Sequence, residues 1–195
     1  MRKLLLCTNN VGKFIEINDL LQNSGFATVS PKDIDLDIDV AETETTYSGN
    51  AVLKAKAFGE RSGLLSLADD TGLEVEALDG APGVQSKRFF KTSGEARNRE
   101  LLNLIKDNSN RKAKFVASVA VFDPKTGRTQ TFSGEVAGEI IEPKGETHAD
   151  LGYDSIFLIK QLGKTFAEAT LQEKNTLSHR AIAVKRSLQY LNGYQ

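Results

Sequence analysis

The stretch Cys7-Thr8-Asn9-Asn10-Val11-Gly12-Lys13 follows the short apolar run Leu4-Leu5-Leu6 and leads into residues with helical spacing. A chain that passes from a buried strand into a helix this abruptly directs free backbone N–H groups, and the positive end of the helix dipole, at whatever lies in front. A phosphate suits that place. Lys13, in the first turn, adds a full positive charge, and Thr8, Asn9 and Asn10 add polar side chains. The spacing of a Walker loop, G-x-x-x-x-G-K-[ST], is absent. A plain Asn-capped helix carrying a surface lysine explains the same letters equally well.

Further along, Asp69 and Asp70 end the apolar run Leu64–Ala68. Neighbouring residues of a strand point to opposite faces, so one carboxylate can face a ligand while the other turns away. The reading expects the pair at the C-terminal end of the strand, where α/β sheets place ligands; the plainer alternative is a solvated turn closed by Gly72. Glu42 and Glu44 precede a second helix and also simply suit its dipole. Lys54 lies one turn after Asn50 on the same helical face. Lys174, His179 and Arg180 surround the start of the last helix, where a cation opposes the dipole unless something negative lies near. The cations Lys13, Lys54, Lys174 and Arg180, with a few carboxylates, suit a polyphosphate with Mg²⁺, an ion that prefers one or two carboxylates together with phosphate oxygens and water.

The elements that must position these residues follow from pattern. Residues 3–7 read as a buried strand. Phe14, Ile17, Leu20 and Leu21 have helical spacing, with Gly25 as a stop. Residues 26–30 read as a second strand, and the acidic segment 31–45 as loop and edge strand. A second helix starts near Thr46 or Ser48, and residues 64–68 form a central strand. A third helix covers "EARNRELLNLIKD". Two long strands flank the turn "PKTG", and Ser178 caps a final helix through Ala181, Val184, Leu188 and Leu191. Helices and strands alternate early and a strand pair dominates the middle, which predicts an α/β fold with a mixed sheet.

Composition narrows the partners. The chain has 195 residues, 39% hydrophobic and 26% charged, with a net charge of −1. Its isoelectric point is near 6.2. No basic field exists for a sequence-independent grip on nucleic acid. Cys7 is the only cysteine, so an internal disulfide and a cysteine metal site are excluded. The N-terminal apolar run is too short for a membrane span or signal core. The expectation is a cytoplasmic protein with no nucleic-acid or membrane partner.

Taken in order, "CTNNVGKFIEI", "NAVLKAKAF", "LADDTGLEVEALDGAPGVQSKRF", "LGYDSIF" and "LSHRAIA" resemble the Ham1/inosine triphosphatase family of non-canonical purine nucleoside triphosphate pyrophosphatases. The resemblance runs from about residue 3 to residue 191. It implies one family domain over residues 1–195 with a two-lobed α/β fold, a long central mixed β-sheet, flanking helices and an active-site cleft between the lobes. It further implies a homodimer that hydrolyses ITP, dITP and XTP to the monophosphate and pyrophosphate with Mg²⁺. By matched motif, Thr8, Asn9, Asn10, Val11, Gly12 and Lys13 would hold the triphosphate. Asp70 would be catalytic base and metal ligand, with Glu42 a further ligand. Lys54 and Thr71 would touch phosphates, and Leu151, Gly152, Tyr153 and Asp154 would frame the base with Lys174, His179 and Arg180. The chain departs from the family pattern at Leu151, where an aromatic is expected, at Ala41-Glu42, where paired acids are usual, and at Gly49, where a glutamate is usual. A Maf-type pyrophosphatase and a non-catalytic nucleotide-binding module on the same scaffold are the alternatives; an RNA-binding module suits the charge balance less well.

Overall fold

The structure is a computed structural model that describes residues 1–145 and 152–194. Seven strands form one sheet in the order β2-β1-β3-β4-β5-β6-β7. They are β1 (Arg2–Leu6), β2 (Phe26–Val29), β3 (Leu65–Val75), β4 (Lys112–Phe122), β5 (Thr129–Ile140), β6 (Phe157–Ile159) and β7 (Lys164–Thr165). The helices are α1 (Val11–Leu20), α2 (Tyr47–Ser62), α3 (Gly94–Leu104), α4 (Leu171–Leu177) and α5 (His179–Asn192). β1 pairs parallel with β2 and β3, whereas β6 pairs antiparallel with β5 and β7, so the sheet is mixed as expected. Among the described residues no helix is long and apolar enough to cross a membrane.

The chain divides into two compact units. The first holds residues up to Asp70, Ala117–Gly134 and the chain from Ser178; the second holds Thr71–Val116 and Glu135–Leu177. In the first unit the strand period of two sorts the core. Leu4, Leu6, Leu65, Leu67, Val119 and Val121 share a cluster with Ile17 and Leu21 of the α1 segment and with Ala183, Val184 and Leu191 of α5. The intervening Leu5, Cys7, Ala68, Ala120 and Phe122 meet Ala51, Ala55 and Phe58 of α2. In the second unit, Leu73, Val75, Phe115, Val136, Ile140 and Phe157 gather Leu101 and Ile105 from the α3 region, and Tyr153 and Phe166 from the segments around β6.

Local signals act as the residue types dictate. Asn10, Thr46 and Ser178 are N-caps whose side-chain oxygens accept N–H bonds from Lys13, Gly49 and Ala181. Gly63, past the end of α2, takes the left-handed conformation at φ 69° that a glycine adopts without cost. Asp123 organises the turn between β4 and β5: its backbone carbonyl accepts from Gly127 at 2.8 Å and its carboxylate from the Lys125 N–H at 3.0 Å.

Two expectations are corrected and one is refined. Residues 31–45 contain a short 3₁₀ turn at Lys32–Ile34 and no strand. Ile34, Leu36, Ile38 and Val40 do alternate inward against the α2-side cluster, but the segment lies there by side-chain packing without a strand ladder. β3 does not stop at Asp69-Asp70; it continues to Val75 because Leu73 and Val75 are fully buried in the second unit's core. Lys174 stands on a short helix of its own, α4.

Close packing of β5 on α5 depends on Gly134. A Cβ there would run into the His179 carbonyl oxygen and sit 2.7 Å from the Ala183 nitrogen, backbone atoms that cannot swing aside. Gly134→Ala should therefore destabilise by about 1–3 kcal/mol through overpacking. Thermal unfolding followed by circular dichroism checks this: a clear drop in Tm is expected, and an unchanged Tm would contradict the close approach.

Candidate active site

In the first unit, the end of β1 turns into α1 through the expected Asn-rich loop. Thr8 Oγ1 accepts the Asn10 N–H at 3.2 Å, and Asn10 Oδ1 accepts the Lys13 N–H at 2.9 Å. The N–H groups of Val11 and Gly12 have no carbonyl within the helix to bond, as in any first turn. Asn9 and Val11 are exposed, while Thr8, Asn10, Gly12 and Lys13 are half-buried. Lys13 is not a bystander on the surface: its Nζ lies 3.1 Å from Asp69 Oδ2.

Because β3 runs straight through them, Asp69 and Asp70 point to opposite sides. Asp69 joins the α1 and α5 side. Besides Lys13, it accepts a bond at 3.1 Å from Arg180 Nε, and Arg180 Nη1 pairs with Glu16. The cation at the start of α5 thus has the negative neighbours that its unfavourable place in the helix dipole calls for. Asp70 joins the α2 side. Its Oδ1 lies 3.4 Å from Lys54 Nζ, its Oδ2 accepts from Asn50 Nδ2 at 3.2 Å, and Lys54 Nζ also donates to Glu42 Oε1 at 2.8 Å.

These surroundings drive the two aspartates apart. Burial penalises the charge of Asp69, but Lys13, Arg180 and Lys54 outweigh that penalty and hold its carboxyl well below the usual carboxylate range. Burial pushes the Asp70 carboxyl up; Lys54 opposes the rise and the charge of Glu42 adds to it. Burial would lower the Lys54 ammonium, yet Asp69, Asp70 and Glu42 raise it. Lys13 is lowered, chiefly by burial. Neighbouring acids tuned in opposite directions are a pattern of sites that move protons.

Two oxygen donors brought to one amine, Glu42 and Asp70 on Lys54, form the hard, anionic donor set that suits Mg²⁺. No group of three or more His, Cys, Asp or Glu able to hold a metal occurs among the described residues. A two-carboxylate set that leaves positions for phosphate and water is the arrangement Mg²⁺ commonly accepts.

The remaining candidates lie elsewhere or play other parts. Thr71, half-buried, follows Asp70 in β3 and begins the second unit. In that unit, Lys174 Nζ bonds Asp154 Oδ2 at 2.7 Å and stands 5.7 Å from the centre of the Phe166 ring. Gly152 takes a left-handed φ of 67°. The Tyr153 side chain is committed to the core: the residue is 2% exposed, its hydroxyl donates to the Ser86 carbonyl at 3.0 Å, and Arg97 lies 4.7 Å from its ring centre. That leaves its backbone, and not its ring, to meet a ligand. His179 is buried at the start of α5 in the first unit. Leu151 falls outside the described residues. Sequence reasoning passed over Glu16 and used Asn50 only to place Lys54. The signals were present, since Glu16 falls one helical turn after Lys13 and Asn50 one turn before Lys54.

Comparison with known proteins decides the family: the Ham1 family pattern matches residues 4–190. The chain belongs to the Ham1 family. It is 41% identical to a protein of Desulforamulus reducens named dITP/XTP pyrophosphatase, over 97% of this chain and 96% of that one. Two solved structures share the fold at 33% identity: the Staphylococcus aureus Ham1 protein, with a TM-score of 0.84 over all of both chains, and a HAM1 protein from Coxiella burnetii, with a TM-score of 0.86 over 99% of this chain and 100% of that one. The mixed-sheet α/β fold is therefore that of Ham1 proteins.

Membership leaves the buried charges of this chain to be tested directly. Asp69→Asn removes the counter-charge of both Lys13 and Arg180 and should cost about 3–5 kcal/mol at neutral pH. Because the folded-state pKa of Asp69 is depressed, its stabilisation is complete above the unfolded value of about 3.9 and disappears as pH falls below it. Urea unfolding at a series of pH values should show the gap between wild type and variant closing below about pH 4.

Proposed function

We propose that this Ham1 protein hydrolyses the non-canonical purine nucleoside triphosphates dITP, XTP and ITP to the monophosphate and pyrophosphate, and so removes them from the nucleotide pool. The observation that carries the reading is the meeting of Glu42, Lys54 and Asp70 on one side of β3, with the Asn10–Lys13 helix start anchored to Asp69 on the other. The names of the curated relatives support the choice of substrate. Residues 1–195 act on this reading as one functional domain, cytoplasmic and, as the family resemblance implies, homodimeric.

Each residue has a task. Val11 and Gly12 N–H groups, with Thr8, Asn9, Asn10 and the Lys13 ammonium, hold the triphosphate tail and take up charge as pyrophosphate leaves. Glu42 and Asp70 would hold Mg²⁺, which when bound neutralises phosphate charge and polarises the phosphorus. The Asp70 carboxylate accepts a proton from the attacking water. Lys54 and Thr71 contact phosphate oxygens. On the base side, the family resemblance assigns Lys174, His179 and Arg180 as N–H donors to a 6-oxo purine, with Leu151, Gly152, Tyr153 and Asp154 as the stretch that frames it. Adenine would set its own amino group against those donors, and a site left with unpaired polar groups discriminates strongly.

The reading predicts the products. With Mg²⁺ and ITP, ³¹P NMR should show pyrophosphate and IMP as the first products; orthophosphate and IDP would overturn it. Asp70→Asn should lower kcat by roughly 100- to 10,000-fold with the fold retained, because it removes a charge and not volume. Near-wild-type kcat in that variant would remove Asp70 from the chemistry.

A further inference from the structure

Asn50 lies in the first turn of α2, is fully buried, and bonds its amide both to Asp70 and to the backbone of Glu44, two residues after Glu42. Its Nδ2 donates to Asp70 Oδ2 at 3.2 Å and to the Glu44 carbonyl at 3.4 Å, and its Oδ1 accepts the Glu44 N–H at 3.0 Å. The orientation of the amide is dictated by these partners: the reverse would set NH₂ against N–H and oxygen against carboxylate.

We propose that Asn50 is the positioning residue that fixes Glu42 and Asp70 relative to each other. The segment bearing Glu42 is clamped at Glu44, two residues on, by both ends of the Asn50 amide. The same amide holds one oxygen of Asp70, while Lys54, one helical turn later, contacts the other oxygen and Glu42 itself. Asp70 is thus held at both oxygens from one face of α2, and the Glu42 segment is tied to that face by backbone bonds. Gly49 makes the clamp possible: a Cβ there would stand 2.7 and 2.8 Å from Glu44 Cβ and Cγ, so a side chain at 49 would push the segment away. Groups that hydrogen-bond a ligating carboxylate set its orientation, and their loss commonly costs about 10- to 100-fold in metal affinity or activity.

The inference rests on the assignment of Glu42 and Asp70 to a divalent cation, and the test separates the two. Mn²⁺ binding to the protein alone is titrated by EPR for wild type, Asp70→Asn, Asn50→Ala and Asn50→Leu, with Tm recorded for each and ITP hydrolysis measured with Mg²⁺. The Asn50 variants should bind Mn²⁺ about 10- to 100-fold more weakly and lose kcat by a similar factor. Asp70→Asn that binds Mn²⁺ like wild type would overturn the cation assignment itself. Weakened Asp70→Asn beside Asn50 variants of wild-type affinity and kcat would overturn the role of Asn50 alone. Should both Asn50 variants fail to fold, Gly49→Ala keeps the amide and displaces Glu44; it should lower Mn²⁺ affinity in the same direction, and wild-type affinity there would overturn the proposal.

Discussion

Asp69 and Asp70 are consecutive residues of one strand, and the alternation of side chains along that strand governs the rest of the first unit. It sends Asp69 to the helices α1 and α5 and Asp70 to α2. The same alternation sends Leu65 and Leu67 to one core cluster and Ala68 to the other. The register that enforces it is Leu4 against Leu65, Leu5 against Ser66 and Leu6 against Leu67. A slip of one residue would exchange every side chain between faces, sending Asp69 toward α2 and Asp70 toward α1 and α5 and turning Leu65 and Leu67 out of their cluster. The packing that stabilises this unit and the placement of its chemistry are therefore one constraint.

Burying so many charges is costly, and the network is arranged around that cost. Removing ions from water is rarely repaid in net stability, even by a well-made pair, but removing one member of a pair leaves the others stranded. Arg180 shows the logic. It occupies the N-terminal turn of α5, where the helix dipole disfavours a cation, and is held there by Asp69 and Glu16 from β3 and α1. Three elements distant in sequence are thus linked by a requirement of charge compensation. What the network supplies is placement: Lys13 at the head of α1 is held to the same carboxylate that anchors α5.

Much of this arrangement was visible in the letters, and the parts that were not have physical reasons. Asn10, Thr46 and Ser178 act through bonds to residues three positions away, so local sequence contains the whole signal. The opposite facing of Asp69 and Asp70 follows from strand geometry alone. The length of β3 did not follow, because Asp-Asp-Thr-Gly has the composition of a turn, and only burial of Leu73 and Val75 carries the strand onward. The alternating apolar residues of 34–40 look like a strand, yet a ladder needs a partner that the pattern cannot name. Tyr153, read as part of the base-binding stretch, has its ring in a core assembled from α3, β4, β5 and β6. Asn50 and Glu16 stayed in the background because a lone polar residue on a helix declares no partner; each becomes informative only when the strand bearing the aspartates is laid beside it.

The charges also account for the order in which such a site can fill. Lys13, Lys54 and Arg180 supply three positive charges, and Glu16, Glu42, Asp69 and Asp70 supply four negative ones, so this cluster stands at −1 with every group ionised. A cluster of that sign does not attract a triphosphate by itself. Its cations are already engaged with carboxylates, and the side bearing Glu42 and Asp70 would repel the phosphate oxygens. Lys54 relieves this only in part, since one ammonium serves two carboxylates. On the proposed reading a divalent cation reverses the sign of the cluster from −1 to +1, and it does so at the carboxylates rather than at the helix start. Lys13 and the free N–H groups of α1 then act on the tail without competing for it against Asp70. The division of labour between the two faces of β3 is what permits this: one aspartate keeps a lysine in place for the anion, while the other is kept for the cation and the proton.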